Sequence, residues 1–333
     1  MEAIGQSDAF LLFQEQLSRV ARIDRPVLII GERGTGKELA AARLHYLSRR
    51  WQGPLVTVNC AALAGSLLDT ELFGHEVGAF TGATVRRKGR FENADTGTLV
   101  LDEIANLSPE AQEKILRVVE YGSFDRVGGS RPVTVNVRIV GATNVDLPRR
   151  ARAGAFKEDL LDRLSFEVLT VPPLRMREGD VQLLTRHFAA RMAIGMGLGE
   201  APGFSARAMS MLLAHDWPGN VRELKNVVER AVYRTGSGTV REVVFDPFAS
   251  PYRPVEQAVA AAEVPRPPDV RPRSAQPDLQ VPLATAVRDL EEAYLTAALE
   301  QGRHNQKKAA ALLGLTYHQF RGLYRRLRAD LDG

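Results

Sequence analysis

Eight residues, Gly31-Glu32-Arg33-Gly34-Thr35-Gly36-Lys37-Glu38, constrain this chain more than any other stretch. They follow a short β-branched run, Pro26-Val27-Leu28-Ile29-Ile30, that reads as a buried parallel strand. After them, Leu39 to His45 is rich in helix formers and free of breakers. Strand, glycine loop, Gly-Lys and helix are the layout of a phosphate-binding loop. Glycines let backbone N–H groups turn inward around an oxyanion, the helix N-terminus adds partial positive charge, and Lys37 reaches the terminal phosphates. Glu38 departs from the usual pattern, in which a Ser or Thr places a hydroxyl on Mg²⁺. The layout predicts that the chain binds a nucleoside triphosphate.

Strand ends supply the rest of such a site, because ligands of open α/β sheets sit beyond the carboxyl ends of the strands. Leu55-Val56-Thr57-Val58-Asn59 reads as a second strand with a polar end. Thr98-Leu99-Val100-Leu101 is a third and runs into Asp102-Glu103. There Asp102 would hold Mg²⁺, directly or through water, and Glu103 would orient or deprotonate the attacking water. The plain alternative is a solvated acidic pair. A further strand, Val135 to Gly141, ends in Ala142-Thr143-Asn144, suited to sensing a γ-phosphate. Between the last two, Ser108-Pro109 starts a helix to about Tyr121, followed by a loop at Arg126–Ser130.

Three stretches stay open when read by spacing alone. Helical material from Ser66 to Glu76 is broken by Gly78-Ala79-Phe80-Thr81-Gly82-Ala83, where two glycines flank an aromatic and a hydroxyl. A tight turn with Phe80 packed into the core is the reading that spacing favours. Phe156 to Leu164 is amphipathic, and Arg163 on it reads as a surface salt-bridge partner. Residues 172–235 read as all-helical, punctuated by Trp217-Pro218-Gly219-Asn220. Arg222, one turn beyond, suits either a basic residue reaching back to nucleotide or a structural ion pair.

The 333 residues suggest two or three domains, with 44% apolar and 25% charged content as in soluble globular proteins. Helical spacing from 6 to 23 leaves no room for a separate sensor domain before the nucleotide loop. Cys60 is the only cysteine, so no internal disulfide forms and the chain suits a reducing cytoplasm. No apolar run approaches the roughly 18 residues of a membrane span, which argues against direct membrane insertion.

Charge is unevenly placed. The net charge is +4, yet Gln301 to Ala329 holds seven Lys/Arg and no acidic residue, so the remainder is slightly acidic. From Pro247 to Pro282 lie nine of the 18 prolines, a linker that cannot pack a core. Beyond it, a helix from Leu283 to Leu299 precedes Asn305–Leu313, the turn Gly314-Leu315-Thr316, and a helix from Tyr317 to Leu327. The last carries His318, Gln319, Arg321, Arg325 and Arg326, which suit base edges and phosphates in a helix-turn-helix. A basic helical pair that merely packs is the alternative.

Taken together, Gly31–Glu38, Gly78–Ala83, Leu101–Glu103, Ala142–Asn144 and Trp217-Pro-Gly-Asn-Val-Arg-Glu-Leu224 resemble the AAA+ enhancer-binding activators of sigma-54 RNA polymerase. The match is nearest to a branch without an N-terminal regulatory domain that carries Tyr317-His318-Gln319-Phe320-Arg321 in its recognition region. The resemblance implies an α/β AAA+ P-loop ATPase, a parallel sheet flanked by helices, over residues 1–171. A helical lid over 172–243 would follow, then a Pro-rich linker over 244–283 and an all-α Fis-type helix-turn-helix domain over 284–333.

It also implies roles. ATP would meet Gly31, Glu32, Arg33, Gly34, Thr35, Gly36, Lys37 and Glu38, the Glu at 38 being normal in this family, with Asp102 on Mg²⁺. Glu103 would be catalytic and Asn59 its switch partner. Thr143 and Asn144 match sensor I, and Arg222 matches sensor II. Arg163 matches an arginine finger acting across subunits, hence a ring, typically a hexamer. Lys157 stands where a second finger arginine is usual, and lysine loses the bidentate fork. The residues Gly78, Ala79, Phe80, Thr81, Gly82 and Ala83 would contact sigma-54, reversing the reading of Phe80 as core. The loop at Arg126–Ser130 would move with them. Thr316, Tyr317, His318, Gln319, Arg321 and Arg325 would bind enhancer DNA. A separate inhibitor protein, in a membrane-stress setting, would regulate the ring. Helicases and unfolding motors are the competing AAA+ expectation, and a DNA-binding regulator that only switches assembly is the other.

Overall fold

A computed structural model describes residues 3–62, 65–248, 282–302 and 305–331. Its contacts divide the chain into two units, Met1–Ala249 and Ser250–Gly333. The proline-rich stretch expected as a linker lies, from 249 to 281, outside the described residues.

The first unit is built on a five-stranded parallel sheet. Its strands are β1 (Val27–Ile30), β2 (Leu55–Asn59), β3 (Thr98–Asp102), β4 (Arg138–Thr143) and β5 (Val168–Thr170), in the order β2-β3-β4-β1-β5. Their apolar runs have a two-sided cause. Leu28, Leu99, Leu101 and Ile139 pack into one core, whereas Val27, Ile29, Val100 and Val140 pack into another on the opposite face. Successive side chains of a strand point to opposite faces, so strands covered by helices on both sides must be apolar throughout. The helices Asp8–Ala21 and Lys37–Tyr46 contribute to the second core. Pro109–Tyr121 and Glu158–Leu164 contribute to the first. Ser108 caps its helix as expected, accepting from the N–H of Ala111 at 3.0 Å.

Several boundaries differ from the sequence reading. β4 starts at Arg138 and extends through Thr143, so the supposed polar end is still strand. β5 was not anticipated: three residues at a sheet edge are too few to show periodicity. The helix expected to reach Glu76 is Gly65–Phe73, and Gly74–His75 pairs antiparallel with Arg87–Lys88 instead. The loop at 126–130 is the tip of a hairpin between Ser123–Asp125 and Pro132–Thr134.

Residues 172–248 form a separate core of helices Asp180–Gly195, Ala206–Ala214 and Asn220–Thr235 around a fully buried Trp217. A two-stranded pairing of Gly203–Phe204 with Thr239–Val240 interrupts the expected all-helical run. In the second unit, Leu283–Gln301, Gln306–Leu312 and Tyr317–Leu331 surround buried Leu295, Ala298, Ala309, Ala310 and Phe320. Among the described residues, no helix is long and apolar enough to cross a membrane.

The insertion after Phe73 is anchored by three rings. Phe91 stacks on Phe73 with centroids 5.4 Å apart and lies 5.7 Å from Phe124 of the hairpin, all inside the first core. Phe91→Ala should therefore cost about 3–5 kcal/mol, read as a lowered urea midpoint of the full chain. A loss below about 1 kcal/mol would mean that the site collapses freely and the rings anchor nothing.

Candidate nucleotide site

The loop after β1 turns on Gly34 and Gly36, whose φ values of +77° and +100° exclude side chains at low cost. Lys37 opens the following helix and folds back, donating to the carbonyls of Gly31 at 2.8 Å and Glu32 at 3.1 Å. The Thr35 hydroxyl donates to the Glu32 carbonyl at 2.8 Å. Burial holds the Lys37 ammonium below the usual lysine range, opposed by the charges of Asp102 and Glu103. A cavity of about 460 Å³ opens here, lined by Arg33 through Glu38, Asp102, Glu103 and Arg222. Phe10, Phe13, Val171 and Phe188 also line it, together with Arg177, His187, Arg191 and Lys225. A lining that mixes cations with apolar and aromatic side chains suits a phosphorylated ligand with a flat base.

Asp102 ends β3, and Glu103 follows in the left-handed region, at φ 54° and ψ 41°. For a residue with a Cβ that conformation costs roughly 1–2 kcal/mol, the kind of strain that collects at functional sites. The Glu103 N–H donates to Asp102 Oδ1 at 3.0 Å. Burial, then the charges of Asp102 and Glu103, push the neighbouring Cys60 thiol up to about 12, which disfavours its thiolate at neutral pH. Two half-exposed carboxylates with hard oxygen donors fit Mg²⁺ shared with phosphates. No cluster of three or more metal-ligating side chains occurs among the described residues.

Asn59 stands opposite Asp102 in the β2–β3 register. Its amide oxygen accepts from the Ala61 N–H at 2.8 Å, and no hydrogen bond joins it to Glu103 in this state. Thr143 is fully buried; its carbonyl accepts from the Gly31 N–H at 3.1 Å. Asn144 follows it at the strand end, half-exposed.

The turn at Gly219 sits directly on the loop. A Cβ at Gly34 would stand 2.2 Å from the Gly219 carbonyl oxygen. The Arg222 N–H donates to the Gly34 carbonyl at 3.3 Å. Glu32, expected on the nucleotide, is turned away from the cavity: Arg175 grips its carboxylate at 2.6 and 2.8 Å, and Asn220 donates to it at 3.0 Å. Those bonds hold its carboxyl down to about 2, Arg175 contributing most. A depressed carboxylate contributes fully above its ordinary value of 4.5, and the contribution fades as pH falls towards 2. Sequence reasoning missed Arg175 and Asn220. The Gly219-Asn220 pair is the one local signal there, since Asn tolerates a left-handed backbone and Asn220 has φ 52°, but nothing local names its partners.

Arg163 and Lys157 do not line this cavity. Arg163 pairs with Glu120 at 2.9 Å and borders a separate groove of about 480 Å³ with Tyr121 and Phe166. Lys157 pairs with Glu113 at 3.3 Å on the same helix as Glu120. Seven residues apart, the two acids share one helix face.

The segment Gly78–Ala83 closes on itself, with the Gly78 N–H on the Ala83 carbonyl at 2.9 Å and φ values of +80° and +102° at Gly78 and Gly82. Phe80 is 46% exposed; its ring meets the His75 ring edge-on at 5.0 Å, and its carbonyl accepts from the Ala83 N–H at 3.0 Å. The packed-core reading of Phe80 is therefore wrong, and Thr81 beside it is exposed too. Ala79 lies against Gly128 of the hairpin, where an added Cβ would meet it at 2.6 Å. In the second unit His318, Gln319, Arg321 and Arg325 are exposed along one helix, while Tyr317 is half-buried. Gln319 has a local duty as well: its amide oxygen accepts from the Thr316 N–H at 3.0 Å, and its own N–H donates to Thr316 Oγ1 at 3.3 Å, a capping box.

Comparison with known proteins matches residues 3–170 to the sigma-54 interaction domain, 175–260 to an AAA+ ATPase lid domain, and 286–329 to bacterial regulatory proteins of the Fis family. The chain is 53% identical to the Psp operon transcriptional activator of Escherichia coli over 97% of both. It is 44% identical to the Nif-specific regulatory protein of Azotobacter vinelandii, over 95% of this chain and 57% of that one. The crystal structure of NtrX from Brucella abortus in complex with ATP superposes with a TM-score of 0.68 at 33% identity, covering 99% of this chain and 69% of that one.

The contact at Gly34 gives a direct test. Gly34→Ala must both strain a positive φ and displace the Gly219 turn, so affinity for a fluorescent ATP analogue should fall at least about tenfold. Unchanged affinity would show that the turn yields without consequence.

Proposed function

The chain belongs to the sigma-54-dependent transcriptional activators, and we propose that it is an ATPase remodelling the closed complex of sigma-54 RNA polymerase into an open one. One juxtaposition carries this reading: Lys37, Asp102, Glu103 and Arg222 line a single cavity, while Phe80 and Thr81 stand exposed outside its lining.

In the proposed reaction the triphosphate lies along Gly34–Lys37, and the Lys37 ammonium exchanges loop carbonyls for phosphate oxygens. Glu103 orients a water and takes its proton as the oxygen bonds to the γ-phosphorus and the bond to the β-phosphate oxygen breaks. Mg²⁺, held by Asp102, would neutralise phosphate charge. Asn59 would gate Glu103 by pairing with it in a state other than this one, and Thr143 and Asn144 would sense the γ-phosphate. Arg222 would act within the subunit. Arg163 would leave Glu120 to act on a neighbour's nucleotide in a ring, a hexamer in this reading, with Lys157 a weaker second cation. The Gly78–Ala83 loops would carry the resulting motion to sigma-54.

We assign residues 1–171 to the ATPase core, 172–243 to the lid, 244–283 to the linker and 284–333 to enhancer DNA binding. Phosphates and base edges would meet the exposed Arg321, Arg325, His318 and Gln319. The likeness to a Psp operon activator supports an operon of that kind as target, with a separate inhibitor protein as regulator.

Engine and tool should separate. Thr81→Ala should retain ATP turnover and assembly but lose sigma-54 binding and open-complex formation, whereas Lys37→Ala should lose all of these. Turnover and transcription from a sigma-54 promoter, measured on the same preparations, decide it; full transcription by Thr81→Ala would reduce the loop to a turn.

The finger makes a second test. A cation supplied across an interface contributes roughly 10³–10⁵ in rate, so Arg163→Ala should bind ATP within a few-fold and nearly cease turnover. Mixing it with Glu103→Gln should restore part of the activity, because one class of mixed interface regains both groups. Normal hydrolysis by Arg163→Ala would sink the ring-interface assignment.

A further inference from the structure

We propose that Glu32, Arg175 and Asn220 form a latch that positions Arg222 and so sets the rate of hydrolysis without touching the nucleotide. The inference rests on reading the cavity as the ATP site and Arg222 as its cation from the same subunit.

None of the three residues lines the cavity. What they share is the junction between the phosphate loop and the helix that carries Arg222. The Glu32 carboxylate receives both arms of the Arg175 guanidinium, at 2.6 and 2.8 Å, and the Asn220 amide at 3.0 Å. An exposed single-point ion pair fixes little, but a two-armed guanidinium–carboxylate pair fixes direction as well as distance. Asn220 is completely buried and fully used. Its amide nitrogen also donates to the Arg33 carbonyl at 3.1 Å, and its oxygen accepts from the Leu174 N–H at 2.8 Å. One side chain thereby joins the loop, the segment entering the helical core and the helix Asn220–Thr235.

Backbone strain marks the same place. Trp217 and Asn220, three residues apart, both hold φ near +50° although neither is glycine. Such conformations persist only where the surroundings over-determine them. Arg222 lies in the first turn of the helix that Asn220 begins, and its N–H is already on the Gly34 carbonyl. A shift at Asn220 is transmitted rigidly along that turn to Arg222, and misplacing a catalytic group by about 1 Å can cost on the order of 10²-fold in rate.

The test uses the full chain, with ATP turnover and equilibrium binding of a fluorescent ATP analogue as paired readouts. Arg175→Ala should lower kcat about 10- to 100-fold while affinity stays within about threefold. Asn220→Gly, which keeps the left-handed backbone and removes the amide, should behave alike. Adding Glu32→Ala to Arg175→Ala should lower kcat no further. In an Arg222→Ala background, Arg175→Ala should change kcat less than about twofold, because the latch would have nothing left to position. Multiplying effects of Arg175→Ala and Arg222→Ala, or a parallel fall of affinity and kcat, would overturn the latch while leaving the ATP site standing. Failure of the unmodified chain to bind ATP would overturn the reading of the cavity, and the latch with it.

Discussion

The backbone of Gly34 touches the backbone of the turn at Gly219, and the nucleotide site depends on that contact. No other residue fits: a Cβ would fall 2.2 Å from a carbonyl oxygen, in a conformation with φ of +77°. The approach brings Arg222 to the cavity, closes one wall over the loop and leaves Lys37 buried among carbonyls. An enclosed ammonium is costly and gains by exchanging carbonyl dipoles for phosphate charge. The same contact places a mainly helical core where it can respond to what the strand ends of the five-stranded sheet hold.

A second device ties the exposed loop to the body. Arg126, 7% exposed, takes Glu92 at 2.6 and 2.9 Å and Glu76 at 2.8 Å. Burying the Arg126 charge is tolerated because two carboxylates meet it in hydrogen-bonding geometry; removing them would leave that charge unpaired. Glu76 lies two residues before Gly78 of the Gly78–Ala83 loop and Arg126 belongs to the hairpin, while Ala79 packs on Gly128. Loop and hairpin therefore share one surface, held by ions at its base and by a close backbone approach near its tip.

The second unit follows simpler rules. Phe320 and four aliphatic side chains form its core, and Arg321, Arg325 and Arg326 of the last helix are left outside it. Arg326 pairs with Glu291 across two helices of that unit, so the positive residues do not all serve one purpose. Gln319 likewise caps its helix while remaining exposed.

What the sequence alone determined was local. Two-sided burial of β1, β3 and β4 follows from continuous apolar runs. The phosphate loop follows from glycines at positions needing positive φ, the helix start at Ser108-Pro109 from capping, and the basic character of the C-terminal stretch from seven cations without an acid over Gln301–Ala329. Each depends on residues a few positions apart, so the chain's own stereochemistry settles it. Tertiary structure alone decided where side chains with several options would go. Glu32 meets Arg175 across 143 residues and Asn220 across 188. Arg163 rests on Glu120, Glu103 takes a left-handed backbone, and Phe80 stays out of the core. A carboxylate or guanidinium has no preferred partner encoded beside it. Its partner is whichever group the packing of distant helices delivers, and no periodicity in the chain records that choice.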